Sequence, residues 1–152
     1  MVRIGLGLYG YGTEMTLGAP MLPDAHRLQP AVRWCARIVH VQRYPKGSKV
    51  GYGSTHRLSR ESVLGVVPVG YADGYPLTLS GKGVVALTNS DDEHDDVTTT
   101  VAPVLGKINM DQIVIDMTDI AGARVGETVE LISDDQHSAC ALPRVAAMAG
   151  SN

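Results

Sequence analysis

A tyrosine stands in a glycine-bounded turn of this sequence, directly after an apolar run. Tyr71 follows Gly70 and precedes Gly74, and glycine lets a backbone turn sharply or approach a ligand closely. The run before it, 63–69, is rich in the β-branched residues that favour a half-buried strand. Because the ordinary pKa of a phenol is near ~10, Tyr71 can act as a base only with a neighbour that shares its proton. That neighbour must come from elsewhere.

Two other glycine-bounded segments carry polar groups. Arg3 and Gly5 lie in the first apolar segment, and the segment 107–111, KINMD, follows a glycine. Backbone amides exposed in such loops can bind an anion. An ordinary turn, with Asp73 or Asp111 capping its own backbone, is favoured over a functional site when each cluster is taken alone. Spacing by itself therefore favours a turn.

Short strands joined by turns are predicted to position these residues. Period-two alternation or β-type composition occurs at 2–10, 31–38, 49–53, 63–69, 83–88, 98–104, 113–117 and 128–132. One helix is predicted at 142–148, with Pro143 suited to its first turn and Gly150 to its end. The sequence therefore predicts a mainly β fold, a small closed barrel or sandwich of six or more strands with one short C-terminal helix.

The sequence gives little evidence for a metal site. The acidic segment 90–96, SDDEHDD, separates two predicted strands, and its side chains are adjacent rather than spaced onto one face. A solvated hairpin tip is therefore favoured over a metal site. Cys35 and Cys140 are far apart and form no C-x-x-C pair, so neither a zinc site nor a disulfide framework is indicated. We predict no metal site.

Composition favours one soluble domain. The 152 residues are 44% hydrophobic, enough for one core, and the net charge is −3 with the basic residues scattered singly. No basic stripe for nucleic acid is present. No apolar run approaches the roughly 18 residues of a membrane span, and the N-terminus lacks a secretory pattern. We therefore expect a cytoplasmic protein with neither nucleic-acid nor membrane partners.

Taken together, the three segments resemble alanine racemase. They read VRIGLGLYG at 2–10, VPVGYADGYP at 67–76 and GKINMDQ at 106–112, in the order and at the intervals of that family. The resemblance implies that residues 29–152 are the family's mostly β C-terminal domain. It implies that residues 1–28 hold the end of the N-terminal (β/α)8 barrel and a connector. The parent would be a pyridoxal-phosphate-dependent enzyme that interconverts L- and D-alanine.

The same resemblance implies roles for individual residues. Tyr71 would be the catalytic base on the L-alanine face, and Met110 would offer its backbone amide to the substrate carboxylate. Arg3 would hydrogen-bond the pyridine nitrogen of pyridoxal phosphate, and Gly5 would lie where backbone amides meet the cofactor phosphate. In the family the tyrosine is supplied across a head-to-tail homodimer, so the β domain of one subunit meets the barrel of the other.

The lysine that binds the cofactor in this family has no counterpart before Arg3. The lysines of this sequence are Lys46, Lys49, Lys82 and Lys107. We therefore expect a fragment cut at both ends, which lacks the barrel domain, binds no pyridoxal phosphate by itself and is inactive alone. Lys107 also replaces an arginine that is common in the family, so a point charge stands in place of a planar fork.

Two alternatives remain open from the sequence. The chain could belong to another pyridoxal-dependent amino-acid racemase, for serine or for a broader set of substrates. It could also be a free-standing, non-catalytic β-barrel interaction module that keeps the tyrosine turn only as scaffold. The coding sequence upstream of Met1 distinguishes an enzyme fragment from a module.

Overall fold

The structure is a computed structural model that describes residues 5–11, 28–88, 99–122 and 124–151. These residues form strands and one α-helix: β1 (Trp34–Arg37), β2 (His40–Tyr44), β3 (Lys49–Val50), β4 (His56–Arg57), β5 (Ser62–Val67), β6 (Val84–Thr88), β7 (Thr99–Leu105), β8 (Ile113–Asp116), β9 (Thr128–Ile132) and α1 (Leu142–Ala149). Short 3-10 helices lie at Leu6–Tyr9, Tyr52–Ser54, Tyr71–Asp73 and Leu77–Leu79.

Seven strands form one antiparallel sheet in the order β1-β9-β6-β7-β8-β5-β2, and β3 pairs with β4 separately. The sheet curls into a half-barrel, and its two outermost strands, β1 and β2, are consecutive in the chain. The residues between them bond to both sides. The Ile38 N–H donates to the Glu127 carbonyl over 2.9 Å, and the Val39 N–H donates to the Val66 carbonyl over 2.9 Å. One bent segment therefore joins the two ends of the sheet.

Buried and exposed side chains alternate along the strands, so that one face of the sheet is turned toward the core. Along β1, Trp34 and Ala36 are partly buried while Cys35 and Arg37 are exposed, because successive side chains of a strand point to opposite faces. The buried side chains of β6 to β9 and β5 meet in one core: Val67, Val85, Leu87, Ala102, Val104, Ile113, Ile115, Val129 and Leu131. The helix α1 adds Val145 to this core.

The core also fixes the turn that carries Tyr71. Tyr75, four residues later, is buried and packs edge to face against Trp34, with ring centroids 6.1 Å apart. Gly83 lies so close that a Cβ there would be 2.8 Å from the Tyr75 hydroxyl oxygen. The residue that ends the turn is therefore tied to the interior of the sheet.

The predicted fold class is confirmed: the described residues are mainly β with one C-terminal helix. Strand β9 has the predicted bounds, and β6 and β7 pair as the predicted hairpin, with Thr88 opposite Thr99. The acidic tip 90–96 lies outside the described residues. The helix has a proline in its first turn and ends at Gly150, whose φ of 77° is left-handed.

Three predicted strands were wrong in whole or in part. Residues 6–9 form a 3-10 helix instead of a strand, because the Leu8 and Gly10 amides bond locally to the carbonyls three residues earlier, at Gly5 and Gly7. Strand β3 stops at Val50 rather than at residue 53, since Gly51 is left-handed with φ of 79°. The strand predicted at 63–69 ends at Val67, before a proline that has no N–H for the ladder.

No helix among the described residues is long and apolar enough to cross a membrane. The cytoplasmic location stays a prediction.

Candidate functional site

Tyr71 opens a short 3-10 helix whose ends are hydrogen-bonded to each other. The Gly70 N–H donates to Asp73 Oδ2 over 2.9 Å, and the Asp73 N–H donates back to the Gly70 carbonyl over 3.2 Å. Gly74 closes the turn in the left-handed region, with φ of 101°. Tyr71 itself is 48% exposed. Its backbone is therefore fixed while its phenol faces the surroundings.

The backbone of residues 109–110 lies directly against this turn. The Tyr71 N–H donates to the Asn109 carbonyl over 3.1 Å, and the Ala72 N–H donates to the Met110 carbonyl over 3.0 Å. A Cβ on Gly70 would lie 2.2 Å from the Met110 carbonyl oxygen and 2.5 Å from that of Asn109. Only glycine at position 70 allows the two backbones to come this close.

The loop 106–112 is also held from within. Asn109 Oδ1 accepts the Asp111 N–H over 2.9 Å and accepts the Gln112 N–H as well. Ile108 is buried, and its N–H donates to Ser80 Oγ over 3.1 Å. Within the described part of the chain the Met110 N–H has no acceptor. A donor at the edge of a rigid loop is thus left available to an anion.

The turn and the loop together line an open cleft of 480 Å³. Its walls are formed by Tyr52, Tyr71, Leu77, Lys107, Ile108, Asn109, Met110 and Asp111. The cleft combines two phenols, an ammonium group, a carboxylate and a loop backbone. The ammonium group and the Met110 N–H can each attract a carboxylate, so the cleft suits a small molecule that carries one. A few polar groups that converge on a pocket also fix the orientation of the molecule bound there.

Comparison with known proteins assigns this chain to a family. The family described as "Alanine racemase, C-terminal domain" matches residues 31–152. The chain belongs to the alanine racemase family. The resemblance seen in the three sequence segments is thereby confirmed.

The relatives of this alanine racemase domain are longer than the chain. The alanine racemase of Halothermothrix orenii is 38% identical over 134 residues, which cover 88% of this chain and 31% of the relative. That of Clostridium novyi is 37% identical over 134 residues, with 88% and 31% covered. The chain therefore spans about a third of the length of the curated relatives it matches.

Solved structures of the family superpose on the fold. An alanine racemase from E. faecalis has a TM-score of 0.77 at 30% identity, with 99% of this chain and 36% of that chain covered. An alanine racemase from Bartonella henselae, solved with covalently bound pyridoxal phosphate, has a TM-score of 0.76 at 29% identity, with 97% and 35% covered. The half-barrel is thus the family's fold for this part of the molecule.

The predicted site residues are brought together only in part. Tyr71 and Met110 line the same cleft of this alanine racemase domain. Arg3 lies outside the described residues. Gly5 is exposed, is absent from the cleft walls, and has no described atom within 4 Å of the position of a Cβ. The described residues therefore build no phosphate-binding site around Gly5.

Two cleft residues had not been assigned a role from the sequence. Tyr52 shares with Tyr71 a position beside glycines, Gly51 and Gly53, and that pattern could have singled it out. Leu77 is an ordinary apolar residue whose place in the cleft follows from the turn before it, so no local signal marks it. No cluster of His, Cys, Asp or Glu that could hold a metal occurs among the described residues.

Tyr75, the second tyrosine of the turn, is a structural residue. Burial raises the pKa of its phenol well above the ordinary value, because desolvation disfavours the charged form. It therefore stays protonated and packs in the core, whereas Tyr71 reaches the cleft.

Proposed function

We propose that this chain is the β domain of an alanine racemase and that Tyr71 transfers the α-proton on the L-alanine face. The observation that carries the proposal is the backbone pairing of residues 71–72 with residues 109–110. That pairing brings to one cleft a half-exposed phenol and a Met110 N–H that has no acceptor among the described residues. Racemisation needs a proton donor and acceptor beside a substrate that is held by its carboxylate.

Met110 would hold the carboxylate and Tyr71 would move the proton. A backbone N–H that donates to a carboxylate makes a charge-assisted hydrogen bond, which fixes orientation as well as adding affinity. The Tyr71 hydroxyl needs a group that shares its proton, since a neutral phenol already holds its proton and can act as a base only after passing it on. None of the hydrogen bonds of the described residues involves that hydroxyl. The helper is therefore proposed to lie in the remainder of the active site.

Pyridoxal phosphate is the cofactor proposed for the whole enzyme. When bound, it withdraws electrons from the α-carbon and so makes the α-proton removable. The described residues of the cleft do not supply its anchors, and Arg3 and Gly5 remain the proposed contacts. The second base, on the D face, is proposed to be a lysine of the N-terminal barrel domain.

The arrangement of subunits follows from the same proposal. The barrel domain of one subunit would face the cleft of a second subunit, as in a head-to-tail homodimer. The separation of Gly5 from the cleft walls is consistent with this, since the cofactor contacts of one chain would then serve a different site from its own tyrosine. Residues 1–152 alone are proposed to be inactive and to bind no pyridoxal phosphate.

The proposal is tested by comparing two proteins, the full coding sequence that contains these residues and residues 1–152 alone. Alanine racemisation is followed from both enantiomers with pyridoxal phosphate present. We expect turnover only from the full coding sequence, and a loss of at least about 100-fold in Tyr71→Phe. Tyr44→Phe, which removes a hydroxyl outside the cleft, is the matched control and should retain activity.

Two outcomes would overturn the proposal. Turnover by residues 1–152 alone would show that the missing base and cofactor site lie within the chain. Faster racemisation of L-serine than of L-alanine by the full coding sequence would assign a different substrate.

A further inference from the structure

The cleft carries two charged groups among its described walls. Lys107 supplies the positive charge and Asp111 the negative one. The Lys107 side chain is not loose, because its Nζ lies 5.6 Å from the centroid of the Tyr52 ring. At this distance a cation is attracted to the face of an aromatic ring. The ammonium is thereby localised at one wall of the cleft.

Two glycines in the left-handed conformation fix the backbone segments that carry Tyr52 and Lys107. Gly51 and Gly106 have φ of 79° and 67°. A Cβ on Gly51 would lie 2.9 Å from the backbone nitrogen of Lys107 and 3.0 Å from the Gly106 Cα. The Tyr52 N–H also donates to the Lys107 carbonyl over 3.0 Å. The ring and the ammonium therefore project from two backbones in direct contact.

The charge of Lys107 is not neutralised within the described part of the chain. The ion pairs there involve only arginines, and none includes Lys107. Asp111, the negative group of the same cleft, forms no ion pair with Lys107 in the described part of the chain, and its own N–H bonds to the Asn109 side chain. A molecule in the cleft thus meets a localised positive charge beside Tyr71.

We infer that Lys107, positioned by Tyr52, is a specificity determinant that disfavours amino acids with cationic side chains. The inference rests on the proposed function and adds a discrimination among its substrates. A like charge about 4 Å away in water-like surroundings weakens binding roughly 5-fold. A neutral side chain of the same length is not opposed. Tyr52 acts here as a positioning residue, because removing its ring frees the Lys107 side chain to move away from the cleft.

The test compares L-lysine with L-norleucine, which has a neutral side chain of similar length. Each is measured as an inhibitor of alanine racemisation by the full coding sequence. We expect the ratio of inhibition constants, lysine over norleucine, to fall about 3- to 5-fold in Lys107→Gln. It should fall less in Tyr52→Leu and stay unchanged in Tyr52→Phe, which keeps the ring. Lys82→Gln, an exposed lysine outside the cleft, is the charge-matched control.

The outcomes separate this inference from the proposed function. An enzyme that racemises alanine but shows the same ratio in Lys107→Gln and in wild type overturns the charge discrimination alone. An equal fall in Lys82→Gln overturns it too, since net charge rather than position would then be responsible. Absence of alanine racemisation in the wild-type protein overturns the proposed function, and with it this inference.

A second measurement tests Tyr52 without any turnover. In the 152-residue chain the Lys107 ε-methylene protons should show an upfield ring-current shift in the NMR spectrum. Tyr52→Leu should remove that shift and Tyr52→Phe should keep it. A Lys107 signal at its random-coil position in the wild-type chain contradicts the positioning role.

Discussion

At the residue scale, Gly70 determines whether the tyrosine turn and the loop 106–112 can meet. Its φ of −135° is open to any residue, so the requirement for glycine is steric. The atoms that a Cβ would strike belong to the backbone of residues 109–110 and cannot rotate away. The position of Tyr71 relative to the Met110 N–H therefore depends on the absence of one methyl group.

Gly70→Ala should destabilise the fold by about 3 kcal/mol, because overpacking against fixed backbone forces the two segments apart. Urea unfolding of the purified chain measures this loss. Gly81→Ala is the matched control: its φ of 66° strains an alanine, but no atom lies within 4 Å of the new Cβ, so roughly 1 kcal/mol is expected. Equal losses in the two variants would show that Gly70 is not needed for close approach.

The buried thiol of Cys140 makes the free energy of unfolding depend on pH in the alkaline range. Burial raises the pKa of its thiol from 9.0 to about 11. Between these values the thiol is protonated in the folded chain and ionised in the unfolded chain. The unfolded state therefore binds fewer protons, and the free energy of unfolding falls as pH rises, by up to about 1.4 kcal/mol per pH unit.

The pH dependence is measured by urea unfolding between pH 8 and about 11. Cys140→Ala should reduce the decline from pH 9 upward without abolishing it, because the buried phenol of Tyr75, whose pKa is also raised, adds a decline of the same sign above its ordinary pKa. The substitution also lowers stability at every pH by creating a small cavity. Cys35→Ala, at an exposed position where burial raises the thiol pKa by a smaller amount, serves as the comparison and should leave most of the decline in place. A Cys140→Ala profile parallel to the wild type would contradict the assignment.

At the element scale, the bend between β1 and β2 joins the two ends of the curled sheet. Ile38 is 1% exposed, and its N–H and carbonyl bond to Glu127 and Gly126. The next residue, Val39, is 49% exposed and bonds to β5. Because one residue of the bend is buried and the next is exposed, substitutions at the two positions separate the effect of side-chain packing from that of the backbone bend.

Ile38→Ala should lower the free energy of unfolding by about 2–5 kcal/mol, because it leaves a cavity where the two edges of the sheet meet. Ile38→Val should cost only about 0.5–1.5 kcal/mol. Val39→Ala is expected within about 0.5 kcal/mol of wild type. Thermal and urea unfolding monitored by circular dichroism measure all three. An Ile38→Ala loss no larger than that of Val39→Ala would mean that the junction adds nothing to stability.

Local sequence patterns were sufficient to predict the elements whose conformation is determined by nearby residues. Strand β9 and helix α1 were predictable because alternation, a first-turn proline and a terminal glycine are local signals. The segment 6–9 was not, since its 3-10 conformation depends on bonds around Gly5 and Gly10 rather than on its apolar composition. The predicted end of β3 was wrong because Gly51 adopts a left-handed conformation that composition does not specify, and that of β5 was wrong because Pro68 interrupts the strand.

The candidate site was predictable in its chemistry but not in its assembly. Tyr71 and Met110 were identified from short motifs, and their shared cleft agrees with the predicted roles, which remain proposals. The contact of Tyr52 with Lys107 was not predictable, because it depends on the packing of Gly51 against Gly106 across 55 positions of the chain. Contacts between distant segments are set by the sheet and leave no local pattern.

At the scale of the whole molecule, the N-terminal segment is attached to the β domain. The Ala31 N–H donates to the Tyr9 carbonyl over 3.1 Å, and Gly10 packs directly against the backbone of Gln29. Tyr11 is 2% exposed, and burial raises the pKa of its phenol. Under the proposed function, this attachment would fix the direction from which the barrel domain meets the half-barrel.

The central claim is that this domain supplies the proton-transfer residue for one face of the substrate, and directional isotope exchange tests it most directly. The full coding sequence and its Tyr71→Phe variant are incubated with L- or D-alanine in deuterium oxide, and deuterium at the α-carbon is measured before racemisation is significant. The account predicts that Tyr71→Phe slows exchange from L-alanine by about 10²- to 10⁴-fold while exchange from D-alanine is far less affected. Equal losses for the two enantiomers, or no loss from L-alanine, would contradict it.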